Sequence, residues 1–226
     1  MPKGKNFNPE EYVIVQDKDE YIIDILGNYD INTEGTYNIS VVATDISGNK
    51  SEEKNLQIIV EDRDNCTVRN AKLGDDIDTI KRYESAELVV ENNDESGLFL
   101  MYEDVVAGED AYIVYQLNHN EELYCIIFSF IESHTDHSLY INTFYNITEQ
   151  LTERYGEPHV EKFKGSLYNY CDSEVEALNI GQVKYRNTWK TNDMKITLFL
   201  AKDNYEISFL LAYDSKLIAQ PDNSDF

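Results

Sequence analysis

The sequence predicts an all-β sandwich over residues 1–65, followed by an α+β domain over residues 66–226 with an antiparallel sheet and two helices. Three observations carry this. In Gly35-Thr-Tyr-Asn-Ile-Ser-Val-Val-Ala-Thr-Asp45, the residues Tyr37, Ile39, Val41 and Ala43 alternate with mostly polar neighbours, a period of two that turns one strand face inward. The alternation ends at the charged run Glu61-Asp-Arg-Asp-Asn65, and residues 63–70 read as a linker. Beyond it Tyr140, Phe144, Ile147, Leu151 and Tyr155 recur at steps of three and four, the apolar stripe of a helix.

In the first part, residues 12–15 are expected as a short strand and residues 21–26 as another, closed by Gly27-Asn28. Ser47-Gly48-Asn49 is a turn, and the return strand sets Leu56, Ile58 and Val60 on one face. Short strands between Gly, Asn and Asp turns suggest a sandwich. In the second part Gly74-Asp-Asp76 precedes Ile77, Ile80 and Tyr83 at helical spacing, which predicts a helix near 75–84 with Asp75 or Asp76 as its N-cap. Strands are expected at 88–90, 98–102, 111–115 and 123–131, with a turn at Asn118-His-Asn-Glu121. The strongest helix, near 139–155, stops at Gly156 and Pro158. Strands at 183–189, 196–200 and 205–213 follow, the last two joined by Asp203-Asn204. Residues 111–117 and 123–128 parallel 194–200 and 205–210, and each pair follows a helix. A tandem duplication of helix plus β-meander, with two helices on one sheet, is the expectation.

Acidic residues outnumber basic ones 43 to 19, a net charge of −24. The excess is spread, with 14 against 6 in residues 1–65 and 29 against 13 in the remainder. Such a surface repels phosphate backbones, so nucleic acid is excluded as a partner; the plain reading of the charge is solubility. No run approaches the ~18 apolar residues of a membrane helix. Met1-Pro-Lys-Gly-Lys leads into polar sequence without an apolar export segment. Cys66, Cys125 and Cys171 stand at no metal-finger spacing, and an odd count leaves at least one thiol free. Cys125, within Leu-Tyr-Cys-Ile-Ile-Phe, reads as a small buried hydrophobe.

The pattern Gly35-x-Tyr37-x-x-x-Val41-x-Ala43-x-Asp45-x-Ser47-Gly48-Asn49, then Val60-x-Asp62, resembles the immunoglobulin-like modules of bacterial surface proteins over residues 4–62. The resemblance implies a spacer or stalk at the cell surface, hence an extracellular protein whose export segment, and any lipoprotein-type or cell-wall anchor, is not within these residues. The second part resembles, in architecture, the β-lactamase-inhibitor-like fold and small lipoprotein domains of the outer-membrane assembly type. Its Gly-Asp-Asp-Ile-Asp-Thr-Ile-Lys and Leu-Thr-Glu-Arg-Tyr-Gly-Glu-Pro elements resemble those of uncharacterised exported Firmicutes proteins. No activity follows from fold analogy.

Few residues invite chemistry. His134-Thr-Asp-His137 with Glu132 has metal-ligating types, but lies in a polar stretch between a strand and a helix, where a solvated loop is the plainer reading. Asp17, Asp19, Asp45 and the Glu61–Asn65 run raise the question of Ca²⁺ at the junction, against which Arg63 works. There is no Gly-x-Ser-x-Gly, no Cys beside a His and no phosphate-cradling loop, so no catalytic residue, cofactor or metal is expected. The aromatic excess, 17 Tyr with 9 Phe and 1 Trp, points instead to a binding face on the second domain's strands: Tyr112, Tyr115, Tyr124, Tyr185 and Trp189. Against this, Tyr suits any half-buried pleated surface, and Tyr37 and Trp189 are expected as core or half-buried residues. The expected function is non-catalytic: a cell-surface or secreted binding or adhesion protein for a protein or glycan ligand. The alternative is a protein inhibitor of an extracellular enzyme.

Overall fold

In the first seventy residues the alternation seen in the sequence becomes a meander. The structure, a computed structural model, describes residues 1–16, 20–63, 65–94, 97–204 and 206–220. The chain divides into two units, Met1–Ala71 and Lys72–Phe226. In the first, β1 (Tyr21–Leu26), β2 (Gly35–Asp45) and β3 (Lys54–Val60) form a three-stranded antiparallel sheet in that order. Register sets Ile25 against Val41, Leu56 against Ile39 and Ile58 against Tyr37. Paired residues share a face, so the alternating apolar positions make one inner surface. Ile39, Val41, Ile58 and Val60 are buried there, with Met1, Phe7, Val13 and Tyr29 packed against them.

The β2–β3 turn follows from Asp45. Its carboxylate accepts from the backbone N–H of Ser47 at 2.9 Å and of Asn49 at 2.8 Å, and from the Asn49 amide at 2.7 Å, while Gly48 takes φ 84°. The strand expected at residues 12–15 is absent. Pro9 opens a 3₁₀ turn at Pro9–Glu11, with the Asn8 side chain accepting from the Glu10 N–H at 3.2 Å, and coil follows. Val13 still packs on the sheet without joining a ladder. Among the described residues this unit therefore has one sheet, its inner face covered by coil where a sandwich would place a second sheet.

The second unit runs α1 (Ile77–Tyr83), β4 (Glu87–Asp94), β5 (Gly97–Val106), β6 (Glu109–Leu117), β7 (Leu123–Phe130), α2 (Ser138–Tyr155), β8 (His159–Lys164), α3 (Glu174–Asn179), β9 (Val183–Lys190), β10 (Met194–Asp203) and β11 (Glu206–Ser215). Its strands make one eight-stranded antiparallel sheet in the order β4-β5-β6-β7-β11-β10-β9-β8. Each half is a helix followed by four antiparallel strands in sequence order, interrupted in the second half by α3 between β8 and β9, and the halves join through their last strands, Ile127 against Ala212. The α+β architecture is as expected. Asp76, not Asp75, caps α1, accepting from the Thr79 N–H at 2.8 Å. Gly156 closes α2 with φ 81° and its N–H on the Thr152 carbonyl at 2.9 Å. Strand β8 and helix α3 were not expected. Helix α3, at six residues, is too short to show a helical period, and in β8 the apolar Val160 and Phe163 stand three apart, out of strand alternation.

All three helices pack on one face of this sheet. From α1, Glu84 accepts from the Tyr115 hydroxyl at 2.5 Å. From α2, Phe144 lies 5.5 Å from Tyr185 and 6.4 Å from Phe209 between ring centroids, and Thr148 accepts from the Asn187 amide at 2.9 Å. The Trp189 indole N–H donates to the Gly156 carbonyl at 2.9 Å, which ties the end of α2 to β9. From α3, Glu174 accepts from the Tyr185 hydroxyl at 2.9 Å. Among the described residues no helix is long and apolar enough to cross a membrane.

Candidate functional site

The alternation that buries one face of the large sheet also composes the other. Register carries rows of side chains across this helix-free face. One row runs Tyr112, Ser129, Leu210, Phe199, Arg186, Glu161; the next runs Met101, Val114, Ile127, Ala212, Thr197, Thr188. Phe99, Met101, Val114, Ile127, Leu210 and Phe199 are half-buried, forming an apolar band over β5, β6, β7, β11 and β10. Its β9–β10 end is charged, because alternation sends Lys184, Arg186, Lys190 and Lys195 to this face, with Asp203, Glu161 and Asp214 against three of them. Lys184 meets Asp203 at 2.7 Å. Arg186 reaches Glu161 at 3.5 Å and lies 5.3 and 5.6 Å from the ring centroids of Phe163 and Phe199. Lys190 stands directly opposite Lys195, whose partner on its other side is the carboxylate Asp214.

The five residues expected as a binding face are divided by the structure. Tyr112 is half-buried on the helix-free face, and Tyr124 is half-buried with its hydroxyl 3.3 Å from the Gln116 amide oxygen. Tyr115, Tyr185 and Trp189 are 1%, 4% and 1% exposed, under the helices. They are core, because residues an odd number apart on a strand point to opposite faces. The apolar band was missed: its residues are a mix of Phe, Met, Val, Ile and Leu, and their common face emerges only once strand pairing is known.

Three polar clusters lie away from this face or beneath it. Glu109, Glu132 and His134 bring their ligand atoms within 4.8 Å of one another. Of these the sequence had pointed to Glu132 and His134, not to Glu109; His134 is half-buried rather than solvated, its Nε2 2.7 Å from Glu109. Lys162, Glu174, Tyr145 and Tyr185 make a second cluster, where the Lys162 ammonium donates to Glu174. The third is Cys125, whose thiol donates to Asp214 at 3.3 Å. Burial, then the Asp214 carboxylate, pushes this thiol far up, so it stays un-ionised and unreactive. Cys125 and Cys171 are in no disulfide.

In the N-terminal unit a groove of about 790 Å³, lined by Tyr12, Ile14, Ile23 and Val41 among others, runs between the coil and the sheet. Of the residues considered for Ca²⁺, Asp17, Asp19 and Asp64 lie outside the described residues, Asp45 is engaged in its turn, and Arg63 stands 3.5 Å from Glu61.

No family model matches the chain, and no curated protein matches it. The solved structure of the lipoprotein BT2262 from Bacteroides thetaiotaomicron aligns over 94% of this chain and 92% of its own, at 12% identity and a TM-score of 0.19. That score is too low to indicate a shared fold.

Proposed function

We propose that this chain is a non-catalytic binding protein acting outside the cell, in which the helix-free face of the eight-stranded sheet contacts a protein or glycan ligand. The observation that carries this is the half-buried apolar band of Phe99, Met101, Val114, Ile127, Leu210 and Phe199, on the face opposite all three helices. A contiguous apolar patch with a charged rim is what an interaction surface requires. Arg186, Lys190 and Lys195 at the band's β9–β10 end, beside Glu161 and Asp214, give the rim charges of both signs. In this reading the N-terminal unit is a spacer; its Gly35–Asp45 strand and Asp45-centred turn resemble those of immunoglobulin-like modules, while its described residues form one sheet and not the two of a sandwich.

The test is binding of the full chain to an array of immobilised extracellular proteins and glycans. Wild type binds at least one target, and Leu210→Asp abolishes the signal while the circular dichroism spectrum stays native. Undiminished binding by both Leu210→Asp and Phe199→Asp would remove this face from the function. The same face could serve an enzyme inhibitor, and assays of secreted hydrolases with and without the protein separate the two.

A further inference from the structure

A different site lies on the helix side of the sheet. Glu109 opens β6 directly after the Ala107-Gly108 turn. Ala111 pairs with Phe130, and the Ile131 N–H donates to the Asp110 carbonyl at 2.8 Å. Two residues further along the same register Glu109 comes opposite Glu132. Two carboxylates facing each other across a ladder repel. One of them is also buried, Glu109 being 8% exposed, and a buried carboxylate needs a compensating positive charge. His134 sets its Nε2 2.7 Å from Glu109 Oε2, completing the group whose ligand atoms lie within 4.8 Å.

Glu109 is held from behind at its carboxylate, and Glu132 and His134 mainly through their backbone. Thr143 of α2 donates to Glu109 Oε1 at 2.7 Å, and the Asp110 N–H reaches Glu132 at 3.4 Å. The Tyr140 hydroxyl accepts from the His134 N–H at 2.8 Å and donates to the Glu132 carbonyl at 3.2 Å, and its ring meets the imidazole edge-on at 4.8 Å. Outer contacts that fix the direction of each ligand are what a metal site needs.

We infer that Glu109, Glu132 and His134 bind a divalent ion of the zinc type, with water as the remaining ligand. One imidazole nitrogen and two carboxylate oxygens suit zinc, whereas Ca²⁺ and Mg²⁺ require a fuller set of oxygens. Metal bonds of about 2.0–2.2 Å put the nitrogen and oxygen somewhat further apart than they are in the hydrogen bond. Rotation of the Glu109 carboxylate provides this small opening, and the exposed Glu132 closes on the ion. The ion takes the place of the proton between Nε2 and Oε2. This site stands independently of the ligand face, which is on the other side of the sheet.

Chelator-treated full-length chain is titrated with Zn²⁺ by calorimetry, with Ca²⁺ as the control. One Zn²⁺ binds per chain with micromolar affinity, and Ca²⁺ does not bind there. Glu132→Gln, an exposed change that leaves the fold intact, removes a direct ligand and weakens binding by more than the roughly 10–100-fold that loss of an outer partner costs. His134→Gln, which keeps a side-chain N–H for Glu109, abolishes it. His119 and His159, both exposed, are the natural adventitious sites, and replacing both with Ala leaves the titration unchanged. Absence of binding at millimolar Zn²⁺, or binding that survives Glu132→Gln and His134→Gln, overturns the assignment.

Discussion

Among single residues, Glu174 shows how one carboxylate can organise its surroundings. It accepts from the Lys162 ammonium and from the Tyr185 hydroxyl at 2.9 Å, while that ammonium lies 5.2 Å from the Tyr185 ring centroid and 5.5 Å from that of Tyr168. The hydrogen bond from Lys162 holds the Glu174 carboxyl below its ordinary value of 4.5, against the opposing effect of burial. Tyr185 is pushed up by burial first and by the same carboxylate second. A carboxyl whose folded pKa is depressed contributes stability that is present above its unfolded pKa and is lost as pH falls through the folded one. The Glu174 side chain is 40% exposed, so solvent screens much of the interaction. The urea midpoints of wild type and Glu174→Gln should therefore differ at neutral pH and converge as pH falls below 4.5. A gap that stays constant into strong acid would show that Glu174 acts through shape rather than charge.

At the scale of elements, the turns decide where strands stop and meet. Ala107 and Gly108 both take positive φ, 54° and 86°, the two-residue hairpin loop that leaves Val106 paired with Glu109. Gly181, at φ 70°, ends the α3 turn and delivers the chain into β9. The two glycines differ in surroundings. A Cβ on Gly108 would meet nothing within 4 Å, whereas one on Gly181 would lie 2.8 Å from the Lys202 backbone carbonyl oxygen. Gly108→Ala should cost about 1–2 kcal/mol, the strain of a left-handed Ala alone. Gly181→Ala should cost clearly more, because backbone must move as well. Equal denaturation midpoints for the two variants would contradict the close approach of Lys202 to Gly181. The outer strand β8 is short and carries Lys162 and Lys164, and such features protect a free sheet edge against pairing with another chain.

For the molecule as a whole, the division after Ala71 leaves each unit with its own sheet. The second unit holds a core running from Leu100 and Tyr115 through Phe128 to Phe209, Leu198 and Trp189, each at most 2% exposed. A fragment of residues 72–226 should therefore fold by itself, with β-rich circular dichroism and a single cooperative melt. A broad, non-cooperative melt would mean that it depends on the first unit. The excess negative charge, distributed over both parts, gives copies of such a chain a mutual repulsion.

Local pattern by itself determined β2, β3, the turn after Asp45, the start of α1 at Asp75 or Asp76, the stripe of α2 with its Gly156 stop, and the order of the second unit apart from β8 and α3. In each of these the deciding contacts lie within a few residues, and the period of the backbone is written directly into side-chain polarity. Residues 12–15 misled because an apolar run can pack on a sheet without pairing to it. Only the tertiary structure decided which sheet face the helices cover, and so removed Tyr115, Tyr185 and Trp189 from the surface and gathered Phe99, Ile127, Leu210 and Phe199 onto the opposite one. It also decided that His134 meets Glu109, a partner 25 residues away. Strand register fixes such neighbours, and register comes from the summed packing of a whole sheet, which no local window of sequence contains.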